Sequence, residues 1–193
     1  MKHSSRSSFV RPVVFACAAM VLASGVAAAQ ASTVILVRHA EKAARPADDP
    51  PLTNDGQARA KDLAAAVADA HVSTVIATQF VRTQATAKPV ADAAGKTMII
   101  VPATADPKAH ADSVAAKVRA APAGSAVLVV GHSNTIPLII AALGGPKMQD
   151  LCDAEYSNMF VMQMAGGSPR LVRAKYGVSD PMGSEKCTRP MKK

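Results

Sequence analysis

From Thr33 onward, short apolar and β-branched runs alternate with longer Ala-rich stretches whose apolar positions recur at helical spacing. That rhythm predicts an α/β fold, a three-layer sandwich around a mostly parallel central sheet. Thr33 to Val37 reads as the first strand, and the Pro- and Asp-rich segment Arg45 to Pro51 as a loop. Thr53 is placed as the N-cap of a helix from Asn54 to about Ala70, with Asp55 in its first turn. Val72 to Ala77 is a second strand, and Arg82 to Ala94 a helix closed by Gly95, where a left-handed residue commonly ends a helix. Thr97 to Val101, Pro107 to Ala120 and Ala126 to Val130 follow as strand, helix and strand, the last fully apolar and therefore central. A short helix from Ile136 to Leu143 stops at Gly144-Gly145-Pro146. Asn158 to Met164 and Arg170 to Tyr176 form a C-terminal hairpin joined through Gly166-Gly167.

The first residues do not share this pattern. Lys2, Arg6 and Arg11 form a basic start, Pro12 to Ala28 is almost wholly apolar or small, and small residues follow. These are the parts of a secretory signal peptide over residues 1–29, with cleavage after Ala29, or alternatively after Ala31. The apolar stretch is short for a membrane span and lacks a basic stop. The expected protein is therefore exported, periplasmic or secreted, with no membrane association after cleavage.

Removing 29 of 193 residues leaves 164, enough for one domain over residues 30–193 with its own core. The formal charge of +8 includes the three cations of the leader, so the mature chain carries +5. Those charges are scattered, and Phe80, Phe160, Tyr156 and Tyr176 are the aromatic residues left. A single-strand nucleic-acid binder would need stacking platforms this composition lacks; a small anionic ligand suits the balance better. Cys152 and Cys187 remain after cleavage, and in an oxidising compartment the default is a disulfide between them.

Ligands of open α/β sheets bind beyond the carboxyl ends of the strands, and two strands here end in histidine. The first gives Val37-Arg38-His39-Ala40-Glu41, the fourth Val130-Gly131-His132-Ser133-Asn134. After the second strand, Thr78-Gln79-Phe80-Val81-Arg82-Thr83 puts Arg82 at a helix start on the same edge. An arginine at the positive end of a helix dipole is disfavoured unless an anion is present. Two guanidinium forks and two imidazoles around that helix start describe a phosphate pocket in which an imidazole can attack phosphorus.

Arg38-His39 after an apolar strand, Pro51-Leu52-Thr53 with Gly56 beyond, Arg82-Thr83 followed by Thr86-Ala87, and Gly131-His132 after another apolar strand resemble the histidine phosphatase superfamily. The resemblance is to its smaller, phosphoglycerate mutase-like branch, and it runs from about Thr33 to Tyr176. Ala40 stands where that family commonly has glycine. The resemblance implies a phosphomonoesterase, histidine acid phosphatase-like, that works through a phosphohistidine on His39 without metal or cofactor. Arg38, Arg82 and His132 would then bind the phosphoryl oxygens of a small phosphorylated substrate. The family's acidic proton donor comes from a segment beyond the second arginine, where Asp106 is the nearest acidic residue; Glu41, two residues past His39, is the other candidate, and His110 and Glu155 stand behind them.

Two rivals are weighed against this reading. A zinc hydrolase lacks support, because no two histidines stand at i, i+4 and arginines flank the proposed ligands. A non-catalytic phosphate- or phosphosugar-binding module would share the pocket and differ only in lacking the acid. Neither the substrate nor the oligomeric state is written in the sequence.

Overall fold

The computed structural model describes residues 1, 33–164 and 168–183. Beyond Met1, the expected leader and its cleavage site lie outside the described residues, as do Gly166-Gly167 and Cys187.

Six strands form one sheet in the order β3-β2-β4-β1-β5-β6: β1 Thr33–Arg38, β2 Val72–Ala77, β3 Ile99–Ile100, β4 Ala126–Gly131, β5 Asn158–Gln163 and β6 Arg170–Lys175. The first four run parallel, and β5 and β6 add the antiparallel hairpin at one side. Among the described residues four helices, α1 Asn54–Ala66, α2 Val81–Ala94, α3 Pro107–Arg119 and α4 Thr135–Ala142, cover the sheet. Successive strand side chains point to opposite faces, and the core divides accordingly. Val34 and Leu36 of β1 and Val127 and Val129 of β4 pack with Val114, Val118, Ile136, Ile139 and Ile140 of α3 and α4. Their neighbours Ile35, Val37, Leu128 and Val130 pack with Leu63, Ala87, Val90 and Ala91 of α1 and α2. The expected three-layer sandwich is thus two separate apolar layers, one on each face of β1 and β4.

Local signals act where the sequence puts them. Thr53 accepts a hydrogen bond from Gly56 N and starts α1; Asp106 accepts from Lys108 N and Ala109 N and starts α3. Gly95 closes α2 at φ +61°. Boundaries differ by more than one residue at two places. The first helix stops at Ala66 rather than near Ala70, because the chain tightens into a 3-10 turn over Ala68–Ala70 and His71 turns left-handed at φ +49° to enter β2. The third strand contracts from Thr97–Val101 to two paired residues, since it is an edge strand with only β2 beside it.

Gly56 marks the tightest approach. A Cβ on it would lie 2.2 Å from the Glu41 carbonyl oxygen, so the first turn of α1 presses directly on the segment that follows β1. The contact is reinforced from the same helix by Arg59, whose guanidinium bonds the Glu41 carboxylate and the carbonyls of Tyr176 and Val178. Asp180 then receives Tyr156 N, Ser157 N, the Ser157 hydroxyl and Lys175 Nζ, which fastens the stretch after the hairpin to the entrance of β5.

Candidate active site

Parallel pairing sets the site. Arg38 lies opposite Gly131 in the register of β1 and β4, and His39 N donates to Gly131 O at 3.0 Å. The residues that follow each strand, His39 and His132, are therefore neighbours, with ring centroids 5.5 Å apart. Strand β2 lies on the other side of β4 and delivers Thr78 and then α2. Arg38, His39, Arg82 and His132 line one open cavity of about 330 Å³, together with Lys42, Phe80, Thr104, Ser133, Asn134 and Asp153. The four residues expected in the pocket are brought together.

Each is held differently. His39 is 4 % exposed, and its Nδ1 lies 2.8 Å from Ala40 O, an acceptor only, so Nδ1 carries the proton and Nε2 presents its lone pair. His132, 9 % exposed, has Nε2 3.1 Å from the Thr78 hydroxyl and its edge against Phe80. Arg38 spends Nη1 on the carbonyls of Cys152, Asp153 and Glu155, and its guanidinium lies over the Tyr156 ring at 4.3 Å. Nη1 of this arginine thus builds the turn that leads into β5. Arg82 lies over Phe80 at 4.2 Å and meets Asp49 at 3.4 Å. Asp49 also accepts from Val81 N, so a carboxylate stands at the start of α2, where the sequence led one to expect an anion.

Burial and positive neighbours keep both imidazoles neutral. Burial, then Arg38, His132 and Arg82, lower His39 to about 3 against the opposing hydrogen bond to Ala40 O. Burial, followed by Arg82, His110 and Arg38, lowers His132 to about 4. Burial likewise lowers both arginines, offset at Arg38 by Tyr156 and nearby carboxylates and at Arg82 by Asp49. Neutral imidazole is the nucleophilic form, and guanidinium the form that binds anions.

This has a consequence for stability. In the unfolded chain both histidines take up protons below about 6.5, whereas the folded chain resists until about 4 and 3. Stability is therefore expected to fall as pH drops from 6.5 towards 4, by up to about 1.4 kcal/mol per unit for each histidine. Urea unfolding at pH 7, 5.5 and 4.5 measures this, and a His132→Asn variant should show the shallower slope; equal slopes would contradict it.

The acidic candidates lie elsewhere. The Glu41 carboxylate is joined to Arg59 at 2.7 Å, Asp106 is exposed and caps α3, and neither lines the cavity. Glu155 is buried and accepts from Cys152 N, Asn158 and Arg173. His110 is buried, with Nδ1 against Pro102 O and Nε2 without a partner. The acidic residue lining the cavity among those described is Asp153, which sequence reasoning missed. No local pattern marks Asp153; the three bonds from Arg38 to its turn bring it in. Thr78 was also missed, although its place just past β2 on the ligand edge could have indicated it. Among the described residues no group of three or more His, Cys, Asp or Glu is placed to hold a metal ion.

Comparison with known proteins agrees with this architecture. Residues 34–106 match the sequence model of the histidine phosphatase superfamily (branch 1). No curated protein matches the chain. Among solved structures, SixA from Agrobacterium tumefaciens, described as a phosphohistidine phosphatase, shares the fold at 21% identity and TM-score 0.54, over 77% of this chain and 99% of its own. The protein histidine phosphatase SixA complexed with tungstate is similar at 18% identity and TM-score 0.56, over 74% and 96%. The mycobacterial glucosyl-3-phosphoglycerate phosphatase is similar at 13% identity and TM-score 0.58, over 77% and 99%. The family match over residues 34–106 and the shared fold agree with the resemblance of this sequence to the histidine phosphatase superfamily, branch 1.

Proposed function

We propose that this protein is an exported phosphatase that hydrolyses small phosphomonoesters through a phosphohistidine formed on His39, without a metal ion. One observation carries the reading. The Nδ1 of His39 is held by Ala40 O, which leaves a neutral Nε2 beside two guanidinium groups and a second imidazole. In the first step Nε2 forms a bond to phosphorus as the bond to the leaving oxygen breaks, and the leaving oxygen takes a proton. In the second, water attacks the phosphohistidine as the bond from Nε2 to phosphorus breaks, its proton returns to the residue that protonated the leaving oxygen, and phosphate and neutral His39 are released. The surrounding cations stabilise charge on the phosphoryl group in flight. Relatives of this fold are described as phosphatases of phosphohistidine and of a phosphosugar acid, which supports a phosphoryl substrate and not one leaving group.

Asp153 is the proton donor in this scheme, in place of Asp106 or Glu41, because it lines the cavity and they do not. Asp153→Asn should lower kcat by about 10²-fold or more on an alkyl phosphate, whose leaving oxygen needs the proton, and far less on nitrophenyl phosphate. The same pattern in Asp106→Asn or Glu41→Gln, with Asp153→Asn unaffected, would return the role to those residues. Phosphate binding without any turnover, across a panel of phosphate esters, would favour the non-catalytic binding module instead.

Export and the disulfide belong to the same proposal. The mature chain should begin at Gln30, or at Ser32 if cleavage follows Ala31, and be recovered outside the cytoplasm. Cys152 should be linked to Cys187, closing a loop of roughly 35 residues and contributing about 4 kcal/mol on the chain-entropy view. Mass spectrometry of the unreduced mature protein measures both, and two alkylatable thiols would remove the bridge.

A further inference from the structure

The second imidazole is tied to a chain of hydroxyl groups that leads away from the site. Thr83 Oγ1 lies 2.8 Å from Phe80 O and 3.2 Å from Thr78 O, both of which only accept. It also lies 2.8 Å from Thr78 Oγ1, which in turn lies 3.1 Å from His132 Nε2. Thr78, Thr83 and His132 are all buried, so no bulk water competes for these positions. Each hydroxyl has a single proton to donate. With the Thr83 proton given to a carbonyl, its oxygen accepts from Thr78, and Thr78, its own proton spent, accepts from His132 and from Phe80 N.

We infer that Thr78 and Thr83 are positioning residues that fix the proton of His132 on Nε2, so that phosphoryl binding requires one further proton, shared between Nδ1 and a phosphoryl oxygen. The inference rests on the proposed function for its ligand but not for its tautomer. With Nε2 engaged by Thr78, Nδ1 is the ring nitrogen that His132 has left for a phosphoryl oxygen in the cavity it lines, and in the free protein its lone pair would repel that oxygen, since both are acceptors. A dianionic phosphate therefore binds with uptake of a proton from solvent, and a monoanion brings the proton with it; in both cases the complex holds one proton between the two atoms. The second ionisation of a phosphomonoester lies near 6, so the requirement takes effect at neutral pH and above.

The groups that face His132 bear on this balance from every side. Arg82 on α2, His110 on α3 and Arg38 at the end of β1 oppose a second proton on the empty site, and the His39 ring lies beside it. Asp153 and Lys42 line the same cavity. A bound phosphoryl group brings negative charge among these cations and favours the added proton only while it stays.

The test uses the purified protein labelled with nitrogen-15, and a His132→Asn variant to assign the ring signals. At pH 7.5 long-range proton–nitrogen spectra should show His132 with Nε2 protonated and Nδ1 bare. Titration with inorganic phosphate in two buffers of different ionisation enthalpy should show uptake of about one proton per phosphate, and affinity should weaken roughly tenfold per pH unit above about 7. In Thr83→Val the Thr78 proton loses its acceptor and turns to His132 Nε2. The ring proton should then move to Nδ1, the uptake should vanish and the pH dependence should flatten. A wild-type spectrum with the proton on Nδ1 overturns the inference, as does an unchanged tautomer and uptake in a folded Thr83→Val. Failure of phosphate to bind at all would count against the function proposed above, while the spectrum of the free protein still decides the tautomer.

Discussion

His39→Ala should fold, retain phosphate affinity within about tenfold, and lose turnover by on the order of 10⁴-fold or more. The loss is large because no other side chain can take over the bond to phosphorus. His132, the nearest imidazole, has Nε2 directed at Thr78 and its ring centroid 5.5 Å away. Binding survives because the two arginines and His132 remain. Folding survives because His39 sits at the edge of an open cavity and not in either apolar layer. Removing it also removes one neutral buried histidine, so the variant should be less sensitive to acid than the parent. Steady-state kinetics with a phosphomonoester and calorimetry with inorganic phosphate check both halves. Parent-like turnover in a folded variant would mean that His39 is not the nucleophile.

Arg82→Ala should weaken phosphate binding and turnover together, by about 10² to 10³-fold. A charge-assisted bond is worth about 1.5 to 3 kcal/mol, and a guanidinium fork can supply two. Its side chain is 14 % exposed, which keeps water from screening that contribution. The substitution has a second cost, since Asp49 would keep its carboxylate at Val81 N with no cation beside it and would repel the incoming anion. Arg82→Lys restores the charge but not the planar fork, so recovery by about an order of magnitude is expected, short of the parent. Unchanged kinetics in Arg82→Ala would make the residue only the partner of Phe80 and Asp49.

Much of the fold and the central four residues of the site were legible before any coordinates. The strands β1 and β4 are apolar on both faces because helices cover both, and that is visible as continuous runs ending in Arg38-His39 and Gly131-His132. Parallel pairing then requires the two histidines to meet. What stayed hidden depends on contacts remote in sequence. Glu41 is near His39 in the chain, yet Arg59, one turn beyond the close approach at Gly56, turns its carboxylate away. Asp106 reads equally well as an acid or as a helix cap, and the two main-chain amides of α3 decide for the cap. Asp153 has no motif of its own, and the bonds that place it come from Arg38, more than a hundred residues earlier. The third strand was drawn too long because Ile99 and Ile100 carry the apolar signal of a core strand while lying at an exposed sheet edge.

The central claim is that phosphorus is passed to His39. The most direct measurement is to mix purified protein with a labelled phosphomonoester in excess chelator, quench within the first turnovers in alkali, and map the labelled peptide. The account predicts one phosphoryl group on His39, stable in alkali and lost in acid as a phosphoramidate is, absent from His39→Ala, and formed at the same rate with or without chelator. Label on a serine or on no residue at all, or activity that chelator abolishes and a divalent metal restores, would contradict it.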